Sequence, residues 1–361
     1  MSGQNTKQPY GELKIIWHPE KLEALLKGEI SAPIAIRIKP TNKCDHRCFF
    51  CSYNPEAKNL LSEEINLNDE IPQEKMMEVL SDLGEMGVKA VTYSGGGEPL
   101  IYPHIIQTFK KTLDNKLDLS IITNGQRLSE ERAELLTQAK WVRISADYCD
   151  ISTFVQSRRI TEKSFDKLKE NIKKFAKIKN LECELGINFI VHHMNQDKVY
   201  EAANFFKDLG VNHIRYAPRW MEEGWEKYHT SFKENVIEQI KKARQDLNDE
   251  RFKVYDVYEK DLNNPKIIER PYSKCSIMQI VPVIAADSAV YFCHDKAYTK
   301  NGRLGYIKEQ SFKDLWFSKE SKEKFKNFDA KVECKQHCVY DGKNSLIEEI
   351  INSHGNHVNF I

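Results

Sequence analysis

Three cysteines lie close together in the segment TNKCDHRCFFCSY, which follows a short apolar run from Ile34 to Ile38. They are Cys44, Cys48 and Cys51, separated by three and then by two residues. A cubane iron–sulfur cluster usually takes four thiolates, so three thiolates would leave one iron without a protein ligand. An iron with an open position can react with a small molecule. The spacing therefore predicts a four-iron cluster with chemistry at its fourth iron.

A structural zinc ion is the alternative for these cysteines. Zinc usually takes four Cys or His ligands, often from two C-x2-C pairs. His46 could supply a fourth ligand, but it lies inside the cysteine loop, and the segment contains no second C-x2-C pair. We therefore favour an iron–sulfur cluster over zinc.

The composition excludes several classes of protein. The chain has 361 residues, with 54 Lys and Arg against 53 Asp and Glu, and this balance gives no reason to expect nucleic acid or a membrane as partner. The beginning of the chain lacks an apolar leader, and the longest apolar run, from Ile277 to Ala286, is too short to span a bilayer. Nine cysteines then indicate metal or redox chemistry in a reducing compartment. We expect a cytoplasmic enzyme.

Strand and helix patterns alternate through the first two-thirds of the chain, as in parallel α/β folds. The predicted strands are 34–38, 90–93, 117–123, 141–146, 185–192 and 213–217, and predicted helices include 74–86, 129–138, 165–178 and 197–208. These units predict an α/β fold with a partial (βα)6 TIM-like barrel. In such barrels the working residues gather at the C-terminal ends of the strands, and the cysteine loop follows the first strand.

A glycine motif follows the second strand. The C-x3-C-x2-C pattern, with Phe50 before the last cysteine, combines with Gly95-Gly96-Gly97-Glu98-Pro99 to resemble the radical S-adenosylmethionine (SAM) superfamily. The resemblance implies a 4Fe-4S cluster that binds SAM, and an external reductant such as flavodoxin or ferredoxin. Consecutive glycines would let backbone amides approach the cofactor, while Glu98 or the local backbone could accept hydrogen bonds from the methionine ammonium.

The resemblance also implies roles for single residues at the ends of later strands. Asn124 would lie beside the cofactor, Ser145 and Asp147 would face the ribose or the substrate, and Asn188 would point into the barrel. Arg158 or Arg159 would pair with the SAM carboxylate. A capped turn or a surface charge is the alternative explanation for each of these residues.

A second cysteine set lies near the C-terminus and comprises Cys275, Cys293, Cys334 and Cys338. Four thiolates can saturate an auxiliary 4Fe-4S cluster, although four thiolates also suit zinc. The first two flank VPVIAADSAVYFC, which predicts a hairpin that turns at Asp287-Ser288. With the later stretch LGYIKEQSFKDLWFS, the region resembles the SPASM/twitch extensions of radical SAM enzymes. We expect an N-terminal extension (1–30), a barrel (31–222), a linker and helical segment (223–270) and a SPASM/twitch domain (271–361) with a β-hairpin and a helix.

The chemistry implied by the resemblance has two branches. A substrate radical that loses a proton and an electron is dehydrogenated, and the auxiliary cluster could accept that electron. A thiol that returns a hydrogen atom would instead give epimerisation, and Cys149 in ADYCD is the candidate donor, whereas Cys183 suits a buried position. The candidates for a base lie near the ends of the fifth and sixth strands: His192, His193, Arg215, Tyr216 and Arg219.

The substrate is the least defined part of the prediction. Peptide-modifying radical SAM enzymes often carry a recognition domain before the cluster motif, and the segment before Ile34 is too short to form one. We therefore expect a small polar substrate, a sugar or an aminocyclitol, as in carbohydrate-acting radical SAM enzymes of the 2-deoxy-scyllo-inosamine dehydrogenase type. A peptide-modifying enzyme or epimerase is the alternative, and a non-enzymatic zinc protein is a third hypothesis.

Overall fold

The computed structural model describes residues 11–53, 64–221, 224–263, 270–334, 338–353 and 355. Its strands are β1 (Ala35–Ile38), β2 (Ala90–Tyr93), β3 (Asp118–Thr123), β4 (Trp141–Ser145), β5 (Glu184–Val191), β6 (His213–Pro218), β7 (Lys253–Asp256), β8 (Val283–Ile284), β9 (Ala289–Tyr291) and β10 (Arg303–Tyr306).

The α-helices are α1 (Pro19–Leu26), α2 (Gln73–Glu85), α3 (Ile105–Asp114), α4 (Glu130–Leu136), α5 (Ile151–Arg158), α6 (Lys163–Ile178), α7 (Val199–Asp208), α8 (Trp225–Thr230), α9 (Lys233–Leu247), α10 (Tyr258–Asn263), α11 (Phe312–Phe317), α12 (Lys319–Asn327), α13 (Ala330–Glu333) and α14 (Asp341–Ser353). Short 3-10 helices span Leu13–Trp17, Pro99–Ile101, Ser276–Gln279 and His294–Lys296.

Strands β1 to β7 pair in parallel and in chain order, with helices in the connections. The predicted TIM-like partial barrel is therefore confirmed, and β7 adds a parallel strand beside β6. Strand β7 was not predicted from the sequence, and it lies in the region expected to be a linker with a helix. Four residues carry little periodicity of their own, and β7 is positioned by its pairing with β6.

The side chains of the strands alternate between two faces. Ile36 and Ile38 of β1 are fully buried in the main hydrophobic core, and Tyr93 of β2 lies 5.4 Å from the ring of Phe109 on α3. Residues between these positions belong to the opposite side of the sheet. We call that side the inner face, and it bears Arg37, Thr92, Arg143, Ser145, Asn188 and Arg215.

The C-terminal hairpin continues the same sheet. Strand β8 runs parallel to β1, β9 returns antiparallel to β8, and β10 pairs with β9. The predicted turn is confirmed, because Ser288 adopts φ 60° and Asp287 accepts a hydrogen bond from the amide of Ala289 at 3.1 Å. The order β10-β9-β8-β1 therefore joins the C-terminal region to the barrel by backbone pairing.

The described helices include none that is long and apolar enough to cross a membrane.

Candidate functional site

The first cysteine loop begins directly after β1 and is held by backbone hydrogen bonds to the end of α5. The amide of Arg47 donates to the carbonyl of Arg158 at 3.0 Å, and the amide of Phe49 donates to the carbonyl of Ser157 at 3.2 Å. The amide of Cys51 donates to the carbonyl of Cys48 at 3.2 Å, which closes a tight turn. These contacts fix the loop at the C-terminal end of the parallel strands, where the sequence predicts it.

The glycine motif packs against this loop so closely that side chains would not fit. A Cβ atom on Gly97 would lie 1.9 Å from the carbonyl oxygen of Lys43, and one on Gly96 would lie 1.9 Å from Oδ1 of Asn42. The amides of Gly97 and Glu98 donate to the carbonyls of Thr41 and Lys43 at 2.9 and 2.8 Å. These two amides thus hold the cysteine loop, and the expected approach of backbone amides of the motif to a cofactor stays a prediction.

Glu98 is buried and uses both carboxylate oxygens within the protein. It accepts hydrogen bonds from the amide of Leu100 at 3.0 Å, from Oγ1 of Thr123 at 2.6 Å and from the amide of Asn124 at 2.6 Å. Burial raises the pKa of Glu98 to about 7, although these donors oppose the shift. Its contacts tie the second strand's loop to the third strand's loop, and the expected contact with the methionine ammonium stays a prediction.

Asn124 joins the third strand to the cysteine loop. Its Nδ2 donates to Oδ1 of Asp45 at 2.7 Å, and Arg127 forms an ion pair with the same carboxylate at 3.2 Å. The predicted cofactor residue Asn124 therefore lies beside the first cysteine set.

A buried ion pair lies beneath the loop. Arg158, which is 4% exposed, pairs with Asp147, and its Nη2 donates to the carbonyl of Ser145 at 2.9 Å. Its Nη1 donates to Sγ of Cys48 at 3.2 Å. The guanidinium is thus engaged by a carboxylate and a cysteine sulfur, and its pairing with the SAM carboxylate stays a prediction.

His192 belongs to the same network. Its Nδ1 accepts the amide of Met194 at 3.2 Å, so its Nε2 carries the proton and donates to Oδ2 of Asp147 at 2.7 Å. Burial opposes ionisation of Asp147, but Arg158 and His192 together lower its pKa. Both ring nitrogens of His192 are engaged, so neither has a lone pair available for a substrate proton. The ring instead makes an orienting contact to Asp147.

Two other predicted residues, Asn188 and Arg215, meet on the inner face. They are register partners on β5 and β6, and Nη1 of Arg215 donates to Oδ1 of Asn188 at 2.7 Å. Ser145 is the register partner of Asn188 on β4. The structure therefore brings together the polar residues that were predicted at the ends of the fourth, fifth and sixth strands.

Tyr216 and Cys149 lie elsewhere. The Tyr216 side chain is fully buried, and its hydroxyl donates to the carbonyl of Val199 on α7 at 2.6 Å. Cys149 is 6% exposed, and burial, Glu201 of α7 and Asp150 raise its thiol pKa to about 12. The Tyr216 side chain thus faces α7 rather than the inner face, because alternation along β6 places it opposite Arg215. The Cys149 thiol lies near Glu201 of α7.

The second cysteine set lies on both sides of the hairpin, with Cys275 before it and the other three cysteines after it. Burial raises the pKa of Cys275 to about 12, with Cys334 adding to the shift, and burial likewise raises the pKa of Cys293, to which Cys275 and Cys338 contribute. Each of these thiols is therefore within electrostatic reach of another member of the set. Among the described residues, no three His, Cys, Asp or Glu side chains are arranged as ligands of a single metal ion. Residues 335–337, between Cys334 and Cys338, lie outside the described part of the chain.

Lys39 was not identified from the sequence, yet it lies between the two cysteine sets. Its ammonium donates to the Tyr53 hydroxyl at 2.5 Å and lies 4.2 and 5.2 Å from the ring centres of Tyr53 and Tyr298. Burial and Arg37 lower its pKa to about 7, whereas Cys51, Cys293 and Asp295 oppose the shift. The only sequence signal for this position is a lysine that closes a buried strand just before the cysteine loop.

Residues 38–214 match the Radical SAM superfamily, and residues 275–339 match the SPASM iron-sulfur cluster-binding domain. The fold and the two cysteine sets define an iron–sulfur protein built on a partial barrel. More particularly, the chain contains a radical SAM domain followed by a SPASM domain. These domains imply a 4Fe-4S cluster that binds SAM, and an auxiliary iron–sulfur centre. Three thiols in the first loop and four in the second suit these groups in number and kind.

Curated relatives are similar over part of their length. GTP 3',8-cyclase from Aquifex aeolicus is 29% identical over 192 residues, which cover 52% of this chain and 57% of that protein. PqqA peptide cyclase from Bradyrhizobium diazoefficiens is 24% identical over 185 residues, which cover 51% and 46% of the two chains. The chain thus spans about half the length of these relatives.

Solved structures share the fold over most of the chain. Streptococcus suis SuiB bound to precursor peptide SuiA superposes with a TM-score of 0.62 at 17% identity, covering 86% of this chain and 70% of that chain. Native anSMEcpe with bound AdoMet superposes with a TM-score of 0.59 at 17% identity, covering 89% and 100%. Identities this low show the fold alone. The relatives do not confirm the expected sugar substrate.

Proposed function

We propose that Cys44, Cys48 and Cys51 bind the SAM-binding cluster and that Cys275, Cys293, Cys334 and Cys338 bind the auxiliary cluster. With SAM and one electron from an external reductant, the first cluster supplies a 5′-deoxyadenosyl radical that removes a hydrogen atom from the substrate. The observation that carries the proposal is Lys39, whose ammonium donates to Tyr53, two residues after Cys51, and lies 5.2 Å from the ring centre of Tyr298, five residues after Cys293. It indicates that the two cysteine sets flank one inner face, where a substrate would meet both.

The proposed substrate is a peptide. The GTP cyclases act on a small molecule by their name, but PqqA peptide cyclase and SuiB, by name or title, involve peptides, and SuiB shares the fold over 86% of this chain. A sugar or aminocyclitol is the second candidate, supported by the polar inner-face pair of Asn188 and Arg215. The segment before Ile34 gives no argument against a peptide, because a recognition protein can be a separate chain.

The proposed outcome is a two-electron oxidation. The substrate radical would give its electron to the auxiliary cluster and a proton to solvent or a base. Epimerisation through Cys149 has less support, because that thiol is buried and lies near Glu201 of α7.

Substitution of single cysteines tests this proposal. In Cys44→Ala, Cys48→Ala and Cys51→Ala, we expect no 5′-deoxyadenosine after anaerobic reconstitution with dithionite and SAM. In Cys275→Ala and Cys334→Ala, we expect deoxyadenosine without oxidised product. Cys183→Ala is the control, since this buried cysteine lies outside both sets.

The assay also separates the two substrate classes. Short peptides and 2-deoxy-scyllo-inosamine would be compared for stimulation of deoxyadenosine formation and for loss of two hydrogen atoms by mass spectrometry. Peptide oxidation supports the first candidate, and oxidation of the aminocyclitol alone supports the second. Deoxyadenosine formation in Cys48→Ala at the wild-type rate would refute the assignment of the first cluster.

A further inference from the structure

Arg219 follows the last residue of β6 and lies at the C-terminal end of the inner face. Its amide donates to the carbonyl of Val191 at 3.1 Å, so the pairing of β5 with β6 extends one residue beyond the strand. Because side chains alternate along a strand, Arg219 shares the inner face with Arg215. The half-buried Arg219 side chain therefore lies at the carboxyl ends of the strands, where the first cysteine loop also lies.

Two aromatic rings contact the Arg219 guanidinium. Its central carbon lies 4.7 Å from the ring centre of Phe49 and 5.4 Å from that of Tyr228. Phe49 belongs to the first cysteine loop, directly after Cys48, and Tyr228 belongs to α8. A ring attracts a cation that lies over its face, but it offers that cation no acceptor oxygen. The two rings therefore hold the positive charge in place without neutralising it.

Neighbouring elements fix both Arg219 and Tyr228. The fully buried His229 of α8 donates from Nε2 to the carbonyl of Arg219 at 3.1 Å, and its Nδ1 accepts a hydrogen bond from the hydroxyl of Tyr258 on α10 at 3.0 Å. The Tyr228 hydroxyl accepts the amide of His193, which follows β5, at 2.9 Å. Arg219 and Tyr228 are thus held in one arrangement before any ligand binds, which lowers the entropy cost of binding.

Arg219 has no carboxylate partner in the part of the chain that the structure describes. Its Nε is buried and makes no hydrogen bond there. Burial lowers the pKa of His193 and of His229, the charge of Arg219 adds to both shifts, and neither of these side chains can carry negative charge. A buried donor without an acceptor is costly, and an oxygen atom of a bound anion would satisfy it.

We propose that Arg219 binds a carboxylate of the substrate peptide, either the side chain of an acidic residue or the C-terminal carboxylate. The inference rests on the proposed function, since it names a group of the peptide proposed above as the substrate. Arginine suits this task because its planar guanidinium binds the two oxygens of a carboxylate through parallel hydrogen bonds. Since Phe49 lies between Cys48 and Cys51, a carboxylate held by Arg219 would bring the neighbouring part of the peptide to the first cysteine loop.

Equilibrium binding to the anaerobically reconstituted full chain tests the proposal, with SAM present and no reductant added, so that no turnover occurs. Two matched pairs of peptides are compared by calorimetry: Ac-Gly-Gly-Glu-Gly-Gly-NH2 with its Gln counterpart, and Ac-Gly-Gly-Gln-Gly-Gly-OH with its C-terminal amide. We expect the peptide that carries the carboxylate to bind about tenfold more tightly in one of the pairs. The pair that discriminates identifies the source of the carboxylate.

Three variants complete the experiment. Arg219→Gln should abolish the discrimination, and Arg219→Lys, which keeps the charge but not the paired donors, should retain part of it. Arg251→Gln is the matched control, because Arg251 is exposed and precedes β7, and it should discriminate as the wild type does. Iron content and thermal unfolding identify any variant that fails to fold. If Arg219→Gln fails to fold, Arg219→Lys and the wild-type peptide pairs carry the comparison.

The outcomes separate this inference from the proposed function. If the wild type forms deoxyadenosine in the assay above but neither peptide pair discriminates, or no peptide binds, the carboxylate site is refuted while the proposed function stands. If a carboxylate peptide binds selectively but no deoxyadenosine forms, the site stands and the proposed function fails. Discrimination that persists in Arg219→Gln overturns the proposal. So does a tenfold loss of SAM affinity in that variant without any change in peptide binding, because the arginine would then serve the cofactor.

Discussion

Arg158 and Lys39 illustrate how single residues shape this site. Arg158 donates to a cysteine sulfur from beneath the first loop, and Lys39 lies between the two cysteine sets. The contact of Arg158 with Cys48 and the place of Lys39 could not be predicted from the sequence, since each depends on groups that come together only in the fold. The cysteines and the glycine motif could be predicted because their spacing is local. The burial of Glu98 and its contact with the third strand's loop depend on tertiary structure, so they could not be predicted.

The first prediction concerns Arg158→Lys. A hydrogen bond from a cationic donor to a cluster sulfur stabilises the reduced state, which carries more negative charge. Lysine is shorter and has no guanidinium group. It keeps the charge opposite Asp147 but loses the hydrogen bond to Sγ of Cys48. We expect the midpoint potential of the first cluster to become more negative by about 60 mV, which is a factor of ten for one electron. Potentiometric titration monitored by electron paramagnetic resonance measures the shift.

The adjacent, exposed Arg159 provides the control for this measurement. Arg159→Lys should leave the midpoint potential at the wild-type value. Equal potentials for wild type and both variants would show that the contact to Cys48 does not influence the cluster.

The second prediction concerns pH and Lys39→Met. Lys39 has a pKa of about 7 in the folded protein against an ordinary value of 10.5. At pH values between these two, the unfolded chain binds more protons than the folded protein does. The destabilising effect of Lys39 is therefore complete below pH 7 and declines as the pH rises. We expect Lys39→Met to increase the free energy of unfolding by about 2–4 kcal/mol at neutral pH and by less near pH 10.

Thermal unfolding of the anaerobic protein, followed by circular dichroism across this pH range, checks the expectation. Lys322→Met, on the exposed side of α12, should show no such pH dependence. A constant stability difference between Lys39→Met and wild type at every pH would contradict the lowered pKa.

At the scale of elements, α14 closes the second cysteine set. Asp341 at its start accepts hydrogen bonds from Arg270 at 3.0 Å and from Tyr272 at 2.6 Å, and Asn344 donates to the carbonyl of Lys274 at 3.0 Å. These contacts tie the segment after Cys338 to the segment before Cys275. Long periodic helices such as α2 and α6 were predicted within a few residues, because their apolar stripes are local signals. Strand β7 was missed because pairing with β6 determines it.

The third prediction concerns Asp341→Ala. The substitution breaks the ion pair of Asp341 with the buried Arg270 guanidinium, and breaking a buried pair costs about 3–5 kcal/mol. We expect the auxiliary cluster to be lost, so that iron falls from about eight to about four per chain, while deoxyadenosine still forms. Iron and sulfide quantitation measures the change. The exposed Asp314→Ala should retain all the iron, and full iron in Asp341→Ala would show that this contact does not hold the cluster region.

At the scale of the whole molecule, one sheet runs from the C-terminal hairpin through the barrel. The amides of Arg37 and Lys39 donate to the carbonyls of Pro282 and Ile284 at 3.0 and 2.8 Å. Trp316 of α11 adds a contact, donating from Nε1 to the carbonyl of Ser31 at 3.0 Å. The hairpin itself could be predicted, but its parallel pairing with β1 could not. Two-residue β8 carries no signal that identifies a partner so distant in the sequence.

The fourth prediction follows from this continuity. Trp316→Ala removes a fully buried side chain and should cost about 3–5 kcal/mol. Because both regions share a sheet, we expect a single unfolding transition at a lower temperature, seen together by circular dichroism and by cluster absorbance. Phe317→Ala, at a 37% exposed position, should have little effect. Two separate transitions in Trp316→Ala would contradict a shared folding unit.

The pairing of β8 with β1 also bears on how far an electron travels within the molecule. Cys44, Cys48 and Cys51 follow one strand of that pair, and Cys293 follows the hairpin that begins with the other strand. A hinge between the two regions would have to break main-chain hydrogen bonds in the middle of the sheet. The backbone therefore fixes the distance over which an electron would tunnel between the two sets of sulfurs. Substrates of different size must be admitted by the loops, and the rate of internal electron transfer should depend little on which substrate is bound.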